Sequence, residues 1–406
     1  MMLRGLSSAN LSVFVGRFPG ENRRSPSFSL VTHGMERGLV MISVRRVAWA
    51  AVVSAMAVIG VLGNSSEPAL GGVRYIVTDL GDLGGYQSEA HGINAPGQVV
   101  GDSSDPTGTY RAFFWDEGNG LLQLTVPDGS TTVAYGINDA GSVSAYSSTL
   151  GGFIWDRTNG VQILGNLNGR AIYPRRINAS GQVAGEYTNA AGDTRAFLWN
   201  QPTGLRDIGA FAGNRSSAQA INDVGTVVGD SYDSNNIYHA FIWDEVHGMR
   251  NLGFPCPAFQ SAALDINNSS EVVGYTYEAR GHPVGFLWNA TSGTIQLGTL
   301  TPLGNSWAFG INDSGRVVGE STSSASRNVA VIWDETNGIQ DLNLLLSGSG
   351  SVFLNRAIDI NECGQIICDG ITAQGDMHGF LLTPIPEPAT LSLLALGGLA
   401  LLRRRR

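Results

Sequence analysis

The decapeptide Gly-Ile-Asn-Asp-Ser-Gly-Arg-Val-Val-Gly at residues 310–319 decides the fold, because close copies of it recur along the chain. Strong copies lie at residues 92–101 and 220–229, and weaker copies retain the Ile-Asn pair. The seven asparagines are Asn94, Asn138, Asn178, Asn222, Asn267, Asn312 and Asn361. Their spacings of 44, 40, 44, 45, 45 and 49 residues are typical of one supersecondary unit repeated in tandem.

The sequence around each asparagine predicts four strands per repeat. Asn-Asp-x-Gly favours a tight turn, since Asn or Asp bonds to nearby backbone and Gly adopts a positive φ. β-branched residues flank this turn and indicate a hairpin. An aromatic strand, a second turn and a last short strand follow, and four strands in roughly 45 residues are the content of one propeller blade. The aromatic strand ends at Trp115, Trp155, Trp199, Trp243, Trp288 and Trp333.

The two ends of the repeat region predict closure into a ring. Residues 74–81 match only the fourth strand of a repeat, whereas residues 378–382 match a third strand with Leu382 at the tryptophan position. Pairing these segments would complete the last blade and leave no open sheet edge. The predicted fold is therefore all-β: a seven-bladed β-propeller over residues 73–383, closed by its N-terminal strand.

The segment before the propeller indicates export. Residues 41–66 contain Arg45-Arg46 and then an apolar run over residues 47–62, which is the pattern of a signal peptide for the Sec machinery. Residues 1–40 carry no repeat, and we interpret them as a mis-assigned start or a disordered extension. The alternative is a genuine long leader.

The charge distribution argues against nucleic acid as a partner. The chain has 34 acidic and 25 basic residues, for a net charge of −9. The repeat region lacks the basic footprint that phosphate binding needs. An acidic surface of this kind suits a solvated protein outside the cell.

The tail at residues 384–406 predicts retention at the inner membrane. A proline-rich stretch precedes a short apolar helix at residues 389–402 and a terminal cluster, Arg403, Arg404, Arg405 and Arg406. Fourteen helical residues span about 21 Å, which is short of the ~30 Å hydrocarbon core. The arginines should stay cytoplasmic during export, so the tail is expected to hold the chain temporarily.

These features resemble two families. Pro386, Glu387 and Pro388, followed by the apolar helix and the arginines, resemble the PEP-CTERM sorting signal of Gram-negative bacteria. That resemblance implies processing by an exosortase, a membrane protease-transpeptidase, and delivery to the cell surface or extracellular matrix. The repeats resemble the extracellular HAF-repeat family, named for the His-Ala-Phe found here at residues 239–241. Most copies replace the histidine, so it is not a required ligand, and the family implies no catalytic residues.

Candidate sites are few, and each has a structural alternative. The tryptophans could form a set that stacks on sugars, but one per blade at the end of an apolar strand favours packing between sheets. The Ile-Asn turns could bind calcium, yet no single loop offers enough oxygens. We therefore predict no metal and no cofactor. Cys363 and Cys368 could form a local disulfide or remain thiols, and Cys256 has no evident partner.

The sequence favours a secreted binding or scaffold module that contacts extracellular polysaccharide or surface proteins. No catalytic constellation is visible, so we predict no enzyme activity. The alternative is a carbohydrate-active propeller enzyme with carboxylates at its central channel. An enzyme should bring carboxylates from unlike repeat positions to one channel mouth, whereas a scaffold should present near-equivalent residues around the ring. Two insertions, at residues 254–257 and 341–354, break the repeat and are interpreted as variations of rim loops.

Overall fold

The computed structural model describes residues 73–126, 129–167, 170–254, 260–278, 281–348 and 352–386. Within these ranges, 28 strands form seven four-stranded antiparallel sheets. A single 3-10 helix, Leu342–Leu345, is their only helical segment. The predicted leader, Cys256, the apolar helix and the tail residues from Glu387 onward, including Pro388 and Arg403–Arg406, lie outside the described residues.

Each sheet is one blade of the predicted propeller. Blade 1 contains β2 (Ser88–Ile93), β3 (Val99–Ser104), β4 (Tyr110–Asp116) and β5 (Gly120–Gln123). Blade 2 contains β6 (Thr132–Ile137), β7 (Val143–Ser147), β8 (Gly151–Asp156) and β9 (Gly160–Ile163). Blade 3 contains β10 (Ile172–Ile177), β11 (Val183–Thr188), β12 (Thr194–Asn200) and β13 (Gly204–Asp207). Blade 4 contains β14 (Ser216–Ile221), β15 (Val227–Tyr232), β16 (Tyr238–Asp244) and β17 (Gly248–Asn251).

The remaining three blades follow the same order. Blade 5 contains β18 (Ser261–Ile266), β19 (Val272–Tyr277), β20 (Pro283–Asn289) and β21 (Gly293–Gly298). Blade 6 contains β22 (Ser306–Ile311), β23 (Val317–Thr322), β24 (Asn328–Asp334) and β25 (Gly338–Asp341). Blade 7 contains β26 (Phe353–Ile360), β27 (Ile366–Ile371), β28 (Met377–Pro384) and, from the other end of the chain, β1 (Tyr75–Asp79).

The predicted ring closure is confirmed. β1 pairs antiparallel with β28, from Tyr75 opposite Pro384 to Asp79 opposite Phe380. Beyond the last pair, the Ile385 amide donates to the Arg74 carbonyl oxygen at 2.8 Å. The two ends of the described chain therefore meet at the outer edge of blade 7.

The Ile-Asn segment forms the hairpin turn between the first and second strands of each blade. In blade 4, the Thr226 amide donates to Asn222 Oδ1 at 2.9 Å, and Gly225 has φ = 85°. In blade 5, Ser270 occupies the glycine position with φ = 61°. A positive φ costs a non-glycine residue energy, so this turn depends more on the Asn267 side chain.

The seven asparagines also join the blades to one another. Each Nδ2 donates to the backbone carbonyl of the equivalent asparagine in the next blade, as Asn94 does to Asn138 at 3.0 Å. The last bond runs from Asn361 back to Asn94 at 2.9 Å. The seven donors are Asn94, Asn138, Asn178, Asn222, Asn267, Asn312 and Asn361. All seven are buried, so they form a closed ring of hydrogen bonds around the propeller axis, which we call the asparagine ring.

The core lies between neighbouring sheets. One cluster joins Ala196 and Leu198 of blade 3 to Phe241 and Trp243 of blade 4. Six blades bury a phenylalanine at the position of Phe241. Trp115, Trp199 and Trp243 are buried, while Trp155, Trp288 and Trp333 are partly exposed. Burial of apolar area between blades therefore supplies the main favourable term for the fold.

In blades 1 and 4, the side chain at the position of the His-Ala-Phe histidine contacts a nearby aspartate. His239 Nε2 lies 3.3 Å from Asp233 Oδ2, and Arg111 Nε lies 3.1 Å from Asp105 Oδ2 at the equivalent place. A histidine and an arginine thus both reach an aspartate six residues earlier from this position.

The possible disulfide between Cys363 and Cys368 is not formed, and both residues are free thiols. Cys363 is exposed on the turn before β27, whereas Cys368 is buried within that strand. Cys363 Sγ instead lies 3.8 Å from the Ala95 carbonyl oxygen in the turn of blade 1. Burial raises the pKa of the Cys368 thiol well above its ordinary value.

Candidate functional site

The wall of the central channel is built by the first strands of the blades. These strands contact each other in turn around the ring. Each first strand has a shift in pairing with the second strand, as between Ala90 and Gly92 in blade 1. Such a β-bulge leaves one residue unpaired and changes the direction of its side chain. The bulged residues are His91, Tyr135, Arg175, Gln219, Leu264, Phe309 and Ile358.

These seven bulged residues, which we call the variable ring, are of seven different types. All seven are partly exposed, whereas the residue directly before each of them is buried. That preceding residue is alanine in six blades and Pro174 in the other. The repeats therefore agree where a side chain packs between blades and diverge where it faces the channel.

The position two residues earlier also differs in every blade. Its members are Glu89, Val133, Tyr173, Ser217, Ala262, Trp307 and Arg356. Tyr173 stacks on Tyr146 of blade 2, with ring centroids 4.7 Å apart. Arg356 of blade 7 lies over the Phe309 ring of blade 6, with Cζ 4.7 Å from its centroid. These contacts cross blade boundaries and join the variable residues into one surface.

The second strands add carboxylates to the same surface. Asp102, Glu186, Asp230, Glu320 and Asp369 occupy one repeat position, and Tyr146 and Tyr275 occupy it in the other two blades. His91 Nε2 lies 2.6 Å from Asp102 Oδ1. Arg175 Nη2 donates to Glu186 Oε1 at 3.0 Å, and its guanidinium lies 5.2 Å from the Tyr135 ring centroid.

Two of these carboxyl groups titrate near neutral pH. Burial raises the pKa of Asp230 to about 6, and burial raises the pKa of Asp369 to about 6. The Ala90 amide donates to Asp369 Oδ1 at 3.2 Å, which opposes part of that rise in pKa. Desolvation disfavours the charged form of each acid, so both can hold a proton under mildly acidic conditions.

A salt bridge crosses the channel just inside the asparagine ring. Arg176 Nη1 of blade 3 lies 2.6 Å from Asp359 Oδ2 of blade 7, on the other side of the axis. Asp265 of blade 5 is also within electrostatic reach of Arg176, and burial is the largest of the effects that raise the pKa of Asp265. The Ile311 amide donates to Asp265 Oδ2 at 3.0 Å.

The other four blades carry glycine or alanine at this axial position because the strands approach closely there. A Cβ atom added to Gly310 would lie 3.0 Å from the Cα of Asp359. One added to Gly136 would lie 2.9 Å from the Arg175 carbonyl oxygen. Three large charged side chains therefore fill space that the small residues leave open.

Our sequence analysis found the asparagines and tryptophans but not the variable ring. The broken symmetry lies within the first strand, three residues before each asparagine, as well as in the insertions at residues 254–257 and 341–354. An alignment of the seven repeats on Asn94 and its equivalents places a different residue at this position in each repeat, so the sequence alone contains the signal. The carboxylates of the second strands come from one equivalent repeat position.

The described residues contain no group of three or more His, Cys, Asp or Glu able to hold a metal ion. None of the helices in those same ranges is long and apolar enough to cross a membrane.

Comparison with protein families identifies the C-terminal tail. Residues 384–406 match the PEP-CTERM protein-sorting motif, so that part of the sequence prediction is confirmed. The motif implies that the chain is exported, held transiently at the membrane, processed by an exosortase and secreted. Comparison with curated proteins gives no significant match.

Solved structures support the propeller architecture. Puromycin hydrolase matches with a TM-score of 0.51 and 12% identity, covering 72% of this chain and 51% of that chain. A mutant of puromycin hydrolase complexed with PGG matches with a TM-score of 0.50 and 11% identity, covering 72% and 53%. A gluconolactonase from Xanthomonas campestris matches at 12% identity and a TM-score of 0.39, covering 78% and 91%. The chain spans about half the length of the puromycin hydrolase chains, and at these identities the likeness concerns the fold alone.

Proposed function

We propose that this protein is a secreted binding module whose ligand contacts the variable ring at the mouth of the central channel. The observation that carries this proposal is the contrast between neighbouring positions of one strand. Packing positions are nearly identical in seven blades, while the channel-facing position differs in all seven. The divergence continues at the position two residues earlier, so it spans a surface that a ligand can contact. The resemblance of the repeats to the extracellular HAF-repeat family also supports a secreted binding module.

The chemistry of the variable ring suits a polar, partly aromatic ligand such as an extracellular polysaccharide or a segment of a surface protein. Tyr135, Tyr173 and Phe309 offer flat apolar faces, and Arg175 and Arg356 offer donors beside them. Ligand sites commonly combine apolar walls with a few placed polar groups. The acidic surroundings disfavour nucleic acid.

Binding to material from the producing cells tests this proposal. The secreted protein is incubated with purified extracellular polysaccharide and, separately, with isolated surface proteins. We expect the double variant Tyr135→Ala and Phe309→Ala, which changes two members of the variable ring, to lose binding at least about tenfold. The matched control is Ile163→Ala, an exposed residue on the outer strand β9. Equal binding by the double variant and the control would refute a ligand site at the variable ring.

A carbohydrate-active enzyme is the second candidate, and one observation favours it. Asp230 and Asp369 have pKa values of about 6, and a carboxylic acid protonated near neutral pH can act as a general acid. Incubation with the same polysaccharide should then release reducing ends at pH 6. Activity that survives both Asp230→Asn and Asp369→Asn would exclude these acids.

Sorting in a Gram-negative cell is also part of the proposal. Deletion of residues 386–406 should release the propeller as a soluble protein instead of delivering it through exosortase processing. Cell fractionation and the intact mass of the secreted chain provide the measurement. A truncated protein that remains cell-bound to the same extent would show that attachment depends on the propeller.

A further inference from the structure

A cleft of about 570 Å³ lies between blades 4 and 5, on the face that carries the Ile-Asn turns. The variable ring lies on the first strands, three residues before the asparagines of those turns. Trp288 forms part of its wall together with Asp244, Arg250, Glu271, Asn289 and Thr291. Its volume falls within the range of about 300–1,000 Å³ that is usual for ligand pockets.

The boundary between blades 3 and 4 shows how the same cleft can be closed. There, Arg206 of blade 3 makes a bidentate salt bridge to Glu245 of blade 4, at 2.7 and 2.5 Å. The Arg206 guanidinium lies over the Trp243 ring, 5.0 Å from its centroid. Trp243 is 5% exposed.

One substitution between repeats opens the cleft at the next boundary. Arg250 and Trp288 are the equivalents of Arg206 and Trp243, but Ala290 stands where blade 4 has Glu245. Arg250 bonds to Asp244 of its own blade, while Glu271 and Asn289 of blade 5 line the same cleft. Trp288 is left partly exposed, and polar side chains surround it.

We propose that this cleft, which we call the Trp288 cleft, binds a neutral or amino saccharide. A sugar ring has an apolar C–H face that can lie on an indole, and a rim of hydroxyl groups that both donate and accept. Asp244, Glu271 and Asn289 provide acceptors and Arg250 provides donors around the tryptophan. Two carboxylates against one guanidinium disfavour an anionic sugar such as a uronic acid. This site is independent of the variable ring and of the function proposed for it.

The chain offers a matched pair of variants that test the structural premise. Ala290→Glu recreates the Arg206–Glu245 arrangement and should cover Trp288, whereas Glu245→Ala should uncover Trp243 at the neighbouring boundary. Quenching of tryptophan fluorescence by acrylamide measures both effects. We expect quenching to decrease for Ala290→Glu and to increase for Glu245→Ala, with little change in Tm because both positions are exposed.

Binding is measured with the secreted protein on an array of defined oligosaccharides of glucose, galactose, mannose, glucosamine and N-acetylglucosamine. We expect at least one of them to bind with a Kd below about 1 mM. Ala290→Glu should weaken that binding at least about tenfold, while Glu245→Ala and the double variant of the variable ring should leave it unchanged.

Two results would overturn the proposal: no saccharide on the array binds, or Ala290→Glu binds as tightly as the native chain while its quenching has decreased. If Ala290→Glu does not reduce the quenching of tryptophan fluorescence, saccharide binding is measured with the variant Trp288→Ala instead. Retention of saccharide binding by that variant would place the site elsewhere. Loss of binding by the variable-ring variant instead would assign the saccharide to the channel mouth.

Discussion

Two positions on the same strand, three residues apart, follow opposite rules. At the end of each first strand, every blade has an asparagine that is buried and bonded to the next blade. Three residues earlier, no two blades have the same residue. The asparagine ring holds the blades in register, so it admits no variation. The contacts of the variable ring across blade boundaries, such as Phe309 with Arg356, differ from blade to blade, so its residues can differ too and, in our proposal, serve recognition.

The severest test of this comparison is at the axial salt bridge next to both rings. Arg176→Met leaves Asp359 and Asp265 without their cation, and removing one partner of a buried pair costs about 3–5 kcal/mol. We expect the free energy of unfolding at pH 8 to fall by that amount in urea denaturation. The control is Arg175→Met, the adjacent residue on the variable ring, whose side chain is 34% exposed; its loss should be under about 1 kcal/mol. If Arg176→Met and Arg175→Met lost equal free energy of unfolding, the division between the axial salt bridge and the variable ring would be contradicted.

The next effect in size concerns the asparagine ring itself. Asn178→Ala removes a bond to the Asn222 carbonyl at 3.0 Å and a bond from the Gln182 amide at 2.9 Å. The Asn222 carbonyl keeps its bond from the Gly225 amide, but the Gln182 amide loses its side-chain acceptor, so we expect a loss of about 2–3 kcal/mol. Ser180→Ala, in the exposed part of the same turn, is the control and should change stability by less than about 0.5 kcal/mol. If Asn178→Ala leaves the free energy of unfolding unchanged, packing alone sets the register of the blades.

A smaller, pH-dependent effect belongs to the channel mouth. The pKa of Asp230 is raised to about 6 in the folded state, compared with about 3.9 when unfolded. The folded state thus holds a proton that the unfolded state has released, and stability falls as pH rises from about 4 to about 6. Asp230→Asn should remove this fall, gaining about 1–3 kcal/mol at pH 8 and nothing at pH 4. Denaturation midpoints across this pH range provide the measurement, and parallel curves for both proteins would contradict the shift in pKa.

The smallest effect is expected at the exposed tip of a turn. Cys363→Ser should change stability by less than about 0.5 kcal/mol, since Cys363 is exposed and free. With Cys256 replaced by serine, thiol labelling of the native protein should modify Cys363 alone. Cys368 should react only after unfolding, because burial raises its pKa. If both thiols resist labelling and become reactive after reduction, a disulfide between Cys363 and Cys368 would be indicated.

The sequence was sufficient to predict the strands, the number of blades and the closure by β1. All three depend on local turn chemistry and on a repeat that recurs seven times, so each copy reinforces the others. The axial salt bridge was not predictable in this way. Arg176, Asp265 and Asp359 lie in three different repeats, and only the curvature of the ring brings them together. The Trp288 cleft was hidden for a similar reason, because the effect of Ala290 depends on an arginine contributed by the preceding blade.

The closure of blade 7 has a mechanical consequence. β28 lies between β27 and β1 in the sheet and leads directly into the tail. Tension applied along the tail would therefore slide β28 past two neighbours at once, straining both rows of hydrogen bonds together instead of opening them one by one. A strand at the edge of the sheet would peel away under a much smaller pull. Because β1 pairs with the otherwise free edge of β28, the strand that precedes the tail is held on both sides.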